Sequence, residues 1–180
     1  MQKYSATISF IVPYLQARFS EQSRENLTKI TRKSITEGIG AEKDDWQKFL
    51  YKDKKGCYVP SEQVEASLGN SAKDFKVKAR RSNMRNLVKS SLFVTPEKIY
   101  LNKETPDSTL TSYPQRKDGS RVVLTHPVFQ AGTEISFEIE CLDEGIDKEM
   151  LKELLINAGR RYGLGARRPK FGRFEVIKVE

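Results

Sequence analysis

The chain has 180 residues, 37% of them hydrophobic and 31% charged, and 32 Lys and Arg against 24 Asp and Glu leave a formal net charge of +8. Nine Phe, seven Tyr and one Trp argue against disorder, no apolar run approaches the roughly 20 residues that cross a bilayer, and the N-terminus lacks the basic-then-apolar pattern of a secretory signal. Two cysteines and one histidine exclude a disulfide framework and a His-rich metal site, so composition points to a folded, basic, cytoplasmic protein without cofactor, structural metal or membrane partner.

Residues 6–12 set Ile8, Phe10 and Val12 on one side and Thr7, Ser9 and Ile11 on the other, the period of a half-buried strand. Pro13 marks its end. Residues 19–57 then turn polar and charged, with Leu27, Ile30, Ile35 and Ile39 loosely spaced and Gly38 and Gly40 as breakers, which predicts an inserted segment of short helices. Trp46, Phe49, Leu50 and Tyr51 form an apolar patch that docks the insertion on the domain. Pro60 or Ser61 opens a helix over 61–75 whose buried stripe is Val64, Leu68, Ala72 and Phe75.

Ser91-Leu92-Phe93-Val94 and Ile99-Tyr100-Leu101 read as strand interrupted at Pro96. Residues 102–120, rich in Thr, Ser, Pro, Asp and Gly, read as a long loop or open hairpin with a turn at Lys117-Asp118-Gly119. The clearest strand is 134–142, where Ile135, Phe137, Ile139 and Cys141 alternate with Glu134, Ser136, Glu138 and Glu140. The clearest helix follows over 147–158, carried by Ile146, Met150, Leu151, Leu154, Leu155 and Ala158 and stopped by Gly159 or Gly163. A last strand, 173–179, sets Phe174 and Val176 opposite Glu175, Ile177 and Val179.

The order β, insertion, α, β, β, α, β predicts an α+β fold: a ferredoxin-like (RRM-type) antiparallel sheet with two helices on one face, forming one domain over 1–180 with the helical insertion at 19–57. The other face stays open, and open faces of such sheets often bind nucleic acid.

Positive charge gathers in two runs that contain no acidic residue. The first holds Lys76, Lys78, Arg80, Arg81 and Arg85. The second, 159–174, holds Arg160, Arg161, Arg167, Arg168, Lys170 and Arg173 among Tyr162, Gly163, Gly165, Phe171, Gly172 and Phe174. Arginine forks bind phosphate, glycine lets backbone approach it closely, and rings offer platforms for unpaired bases. The mixture predicts a single-stranded nucleic-acid contact. The plainer explanation is a solvated helix end whose dipole favours cations, followed by an ordinary turn.

The run Gly159-Arg160-Arg161-Tyr162-Gly163-Leu164-Gly165-Ala166-Arg167-Arg168-Pro169-Lys170-Phe171-Gly172-Arg173-Phe174, between the last helix and the last strand, resembles the C-terminal glycine-rich loop of the RAMP superfamily of CRISPR-associated proteins. Val59-Pro60-Ser61-Glu62-Gln63-Val64 is similar to their Pro-Ser helix opening, with Glu62 and Glu65 where backbone subunits often carry a glycine and a basic residue. The resemblance implies a ferredoxin-like, RNA-recognition-type protein of antiviral defence that grips guide RNA, either as a repeated backbone subunit of a ribonucleoprotein or as a processing nuclease. It also implies single-stranded RNA and other subunits as partners, and self-assembly along the RNA.

For catalysis the residues offer little. Metal-independent RNA cleavage needs a proton carrier such as histidine, and His126 stands alone between strand-like segments. Asp44, Asp45, Asp107, Asp143 and Glu144 show no metal-ligand spacing. No phosphate-binding Gly-Lys-Ser/Thr motif is present, and Gly163-x-Gly165 does not follow a strand as a dinucleotide fingerprint does. The reading is therefore a guide-RNA-binding subunit with no catalytic residue of its own. The alternatives are an endoribonuclease using His126 or a loop Asp, and an assembly protein, cellular or viral, whose basic loops meet other proteins.

Overall fold

The computed structural model describes residues 1–18, 45–75, 84–113, 119 and 124–180. Its central sheet has the order β10-β1-β9-β5, built from β1 (Gln2–Phe10), β5 (Leu92–Thr95), β9 (Glu134–Cys141) and β10 (Phe174–Val179). All three neighbouring pairs are antiparallel. In chain order these are the fourth, first, third and second strands, the ferredoxin-like arrangement. Two small three-stranded sheets flank it. One joins β3 (Lys52–Asp53), β4 (Gly56–Pro60) and β6 (Lys98–Tyr100); the other joins β2 (Tyr14–Leu15), β7 (Ser108–Ser112) and β8 (Leu124–Phe129).

Alternation along β1 and β9 sends Ala6, Ile8, Phe10, Ile135, Phe137, Ile139 and Cys141 inward. Helices α1 (Ser61–Ser71) and α3 (Lys148–Asn157) cover that side with Val64, Leu68, Leu151, Leu154 and Leu155. Each fully buried Leu, Ile or Phe contributes about 1.5–3 kcal/mol of hydrophobic stabilisation, and these residues belong to one continuous core. Helix α1 starts at Ser61 with Pro60 as N-cap, runs to Ser71 and continues as a 3-10 turn, Ala72–Asp74. Helix α3 is capped by Asp147, whose carboxylate accepts the Met150 N–H at 2.8 Å.

Several elements differ from the sequence reading. Strand β1 stops at Phe10, and the chain bends so that Tyr14 and Leu15 join a separate sheet against β8. Of the segment read as helical insertion, residues 45–57 hold only a 3-10 turn, Asp45–Phe49, and the β3–β4 hairpin; residues 19–44 lie outside the described residues. The docking patch is present on that turn: Leu50 is buried and Trp46 packs on the core. A third helix, α2 (Met84–Ser91), occupies the end of the first basic run, to which the sequence reading assigned no element, and takes in Ser91, which was read as strand; it buries Met84 and Val88. Within the stretch 102–120 read as a long loop or open hairpin, Ser108–Ser112 forms β7, which pairs antiparallel with β8. In β10 a bulge between Lys178 and Val176 skips Ile177. Val179 thereby joins Phe174 and Val176 on the core side, and the strict alternation read from the sequence breaks.

Candidate nucleic-acid interface

The second basic run is built from the end of α3. Its last turn widens into a π turn, Ala158–Tyr162, and Gly163 (φ 67°) ends it. Leu164 then drops into the core, fully buried, and its N–H donates to the Gly172 carbonyl at 2.8 Å. The Gly172 N–H in turn donates to Pro13 O, and Ala166 N–H to Leu15 O, each at 2.9 Å. These bonds pinch the base of a loop, residues 163–172, against the chain just after β1. A Cβ on Gly165 (φ +75°) would meet the Leu15 carbonyl and the Tyr14 ring, and one on Gly172 (φ +72°) the Leu164 carbonyl. The glycines thus serve close packing of the loop on its base.

Above that base the charge is outward. Arg160, Arg161, Arg167, Arg168 and Lys170 are all exposed. Arg167 and Lys170 lie 5.7 and 6.0 Å from the centroid of the half-buried Phe171 ring, within cation–π reach. Arg161, Tyr162, Arg167 and Arg168 line an open cleft of about 600 Å³ closed on one side by Asn70. Arg173 is half-buried, and its Nε has no hydrogen-bond partner among the described residues.

One carboxylate organises the helix end. Asp74 Oδ2 accepts from Asn157 Nδ2 at 2.9 Å and from the Tyr162 hydroxyl at 3.0 Å, with Arg161 at 3.8 Å. The Asn157 amide, the Tyr162 hydroxyl and the Arg161 charge hold its carboxyl below the ordinary carboxylate range. Asp74 had no signal in the sequence beyond being an isolated acid before a basic run. Of that first run, Lys76, Lys78, Arg80 and Arg81 lie outside the described residues. The described chain stops at Phe75, one residue past Asp74, and resumes at Met84; Arg85 sits half-buried on α2.

Other candidates are placed elsewhere. His126 is 5% exposed, with Nδ1 3.1 Å from Gln16 O and its ring 5.7 Å from that of Phe49. Burial pushes its pKa down, as for a side chain packed inside the fold. Asp44 lies outside the described residues, and Asp45 opens the 3-10 turn. Asp107 is taken by Lys103 at 2.6 Å and by the Gln130 N–H, and Asp143 accepts the Gly145 N–H. Cys57 and Cys141 are buried, and burial raises both thiols. Among the described residues no group of His, Cys, Asp and Glu could hold a metal ion. Nor is any helix there long and apolar enough to cross a membrane.

The open face of the central sheet carries Ser5, Thr7, Ser136, Glu134 and Glu138, the ion pair of Lys3 with Glu140 at 2.7 Å, and Phe93 as its large exposed ring, 43% accessible. Its charge is mixed, where that of the loop 163–172 is of one sign. Glu65, noted as an acid in the helix opening, accepts the Val94 N–H of edge strand β5 at 2.8 Å.

No protein-family model matches the chain, and no curated protein sequence does. Among solved structures it is similar to a chain in the cryo-EM structure of the type III-B Cmr-beta bound to cognate target RNA, with TM-score 0.60 at 13% identity over 99% of this chain. The two share a fold. The chain spans 59% of the length of that Cmr-beta chain. Cmr1 from Pyrococcus furiosus (apo form) is also similar, at TM-score 0.32 and 12% identity over 100% of this chain and 50% of that one, a likeness too distant to carry an argument.

Proposed function

We propose that the chain is a RAMP-type, guide-RNA-binding subunit of a CRISPR-associated ribonucleoprotein, one that holds single-stranded RNA and does not cleave it. The observation that carries this reading is the loop 163–172. Backbone bonds at its base hold it out from the fold, and its tip presents Arg167, Arg168 and Lys170 around the Phe171 ring, next to Arg160, Arg161 and Tyr162. The guanidiniums take phosphates, Phe171 and Tyr162 take bases, and Arg173 supplies a buried donor at the loop's return. The shared fold with a chain of an assembly bound to target RNA supports the same class of partner. Lys76, Lys78, Arg80, Arg81 and Arg85 are proposed as further phosphate contacts on the strength of their charge; the first four lie outside the described residues, and Arg85 is half-buried on α2.

The test is fluorescence anisotropy with labelled single-stranded RNA, single-stranded DNA and duplex DNA at several salt concentrations, followed by a gel of the bound RNA. Salt-sensitive binding to RNA that stays intact, weakened by Arg167→Ala/Arg168→Ala, is the expected result. Cut RNA would move the reading to an endoribonuclease, and absence of binding to a protein-contact loop.

A further inference from the structure

We infer that a second surface, the outer face of the β3–β4–β6 sheet, is a stacking platform for single-stranded polynucleotide. The inference rests on the reading that the chain binds such a strand, and it uses none of the residues of the loop 163–172.

Period-two alternation sends Cys57, Val59 and Ile99 into the core, essentially fully buried, and leaves Tyr58 and Tyr100 on the opposite face. The two tyrosines are direct cross-strand partners, with ring centroids 6.2 Å apart and edge-on. Tyr51, just before β3, extends the row, 5.8 Å from Tyr58. All three rings are half-buried. Lysines surround them: Lys98 Nζ lies 5.0 Å from the Tyr58 centroid and Lys55 Nζ 5.9 Å from that of Tyr100. Lys52 and Lys54, exposed on the same hairpin, also line an adjoining cleft of about 710 Å³ with Arg18, Trp46 and Glu104.

The acid inside this cluster is already committed. Asp53 accepts from Lys98 Nζ at 2.8 Å, the Tyr100 hydroxyl at 3.0 Å and the Lys55 N–H at 2.9 Å. Lys54, Lys55 and Lys98 against Asp53, with Glu62 acting on Tyr51 from α1, leave a small surplus of positive charge around three half-buried rings; Lys52, the cross-strand partner of Cys57, belongs to the other face. A nucleobase stacks on such rings and a phosphate settles on such lysines whatever the sequence, which is the requirement for gripping an unpaired strand. An acidic peptide would use the lysines and leave the tyrosine row unexplained.

The platform also adjoins the first surface. Leu15 O accepts the Ala166 N–H of the loop, and the next side chain, Gln16, donates through Nε2 to Tyr58 O at 2.9 Å. One short stretch of chain therefore carries the loop on one side and the tyrosine row on the other, and a strand leaving the loop meets the row.

The probe is a labelled single-stranded RNA carrying 5-iodouridine, used for both anisotropy and photo-crosslink mapping on the full chain. Crosslinks are expected at Tyr58 or Tyr100, and Tyr58→Leu/Tyr100→Leu is expected to weaken binding about tenfold. Lys55→Ala/Lys98→Ala, on the exposed lysines that lie over the Tyr100 and Tyr58 rings, reads the same surface if the tyrosine variant fails to fold by circular dichroism. It is expected to flatten the plot of log affinity against log salt by about 1.4. If wild type binds and Arg167→Ala/Arg168→Ala weakens it, but the tyrosine and lysine variants bind as wild type without tyrosine crosslinks, the platform is overturned and the loop reading stands. If the loop variant binds as wild type while the platform variants fail, the platform stands and the loop reading falls. No RNA binding by wild type overturns both.

Discussion

At Gly165 the backbone takes φ +75° in a space walled by the Leu15 carbonyl and the Tyr14 ring, so two independent penalties fall on any side chain there. Gly165→Ala is expected to lower unfolding free energy by about 1–3 kcal/mol from the backbone region alone, with the clash adding to it, and urea denaturation followed by circular dichroism measures the loss. Gln16 is a second residue whose weight no local pattern announces. It is fully buried, donates to Tyr58 O and accepts the Tyr51 N–H at 2.7 Å. Gln16→Leu strands both backbone groups, and each buried unsatisfied group costs about 1–3 kcal/mol.

His126 gives the residue scale its pH dependence. Burial lowers its pKa from an ordinary value near 6.5, so below that value the unfolded chain takes up a proton that the folded chain refuses. Stability from this residue is complete above pH 6.5 and is lost as pH falls from there toward the folded value. His126→Gln is expected to flatten the stability curve in that window, read as thermal midpoints across pH. The carboxylates held low, Asp74 by the Asn157 amide and Asp53, at about 2, by Lys98, act in a separate window, losing their contribution only as pH drops below about 4.

Between elements, the decisive contact is α1 on the end of α3. Two buried serines one helical turn apart make it: Ser67 Oγ donates to Gly163 O at 3.0 Å and Ser71 Oγ to Leu154 O at 2.8 Å. One adds a second bond to the Leu154 carbonyl, which also accepts the Ala158 N–H, the other holds the Gly163 carbonyl just past the π turn, and together they fix the stem from which the basic loop departs. Ser67→Ala is expected to cost about 1–3 kcal/mol and to loosen the loop, measured as faster amide exchange at Leu164 and Ala166. The elements that were easy to read in the sequence are those whose own pattern decides them. Strand β9 alternates without exception over eight residues, and α3 repeats Leu151, Leu154 and Leu155 against the core. Helix α2 was missed because its buried set, Met84 and Val88, is short and flanked by arginine, lysine and serine. The bulge that turns Val179 inward was equally hidden, since it arises from pairing with β1 and leaves no mark in the order of residues in β10.

Among the described residues, arginines gather around the loop and lysines beside the tyrosine row, while the open sheet mixes Lys3 and Lys178 with its glutamates. Binding to a polyanion should therefore weaken steeply with salt. Removing Arg167 and Arg168 together is expected to flatten the dependence of log affinity on log salt by about 1.4 for a single strand. Unfolding free energy should stay within about half a kcal/mol of wild type, because both side chains are exposed. Anisotropy titrations and a melting curve on the same samples separate the two effects.

Periodicity, composition and the run 159–174 determined by themselves the α+β class, the order of the main strands and helices, and the basic loop as a candidate contact, because each depends on residues close together in the chain. Which groups meet across the chain was decided only by the tertiary structure. It buried His126, set Asp74 under Tyr162, and brought Tyr51, Tyr58 and Tyr100 into one row. Those outcomes depend on strand register and helix packing between residues tens of positions apart, which local pattern does not encode.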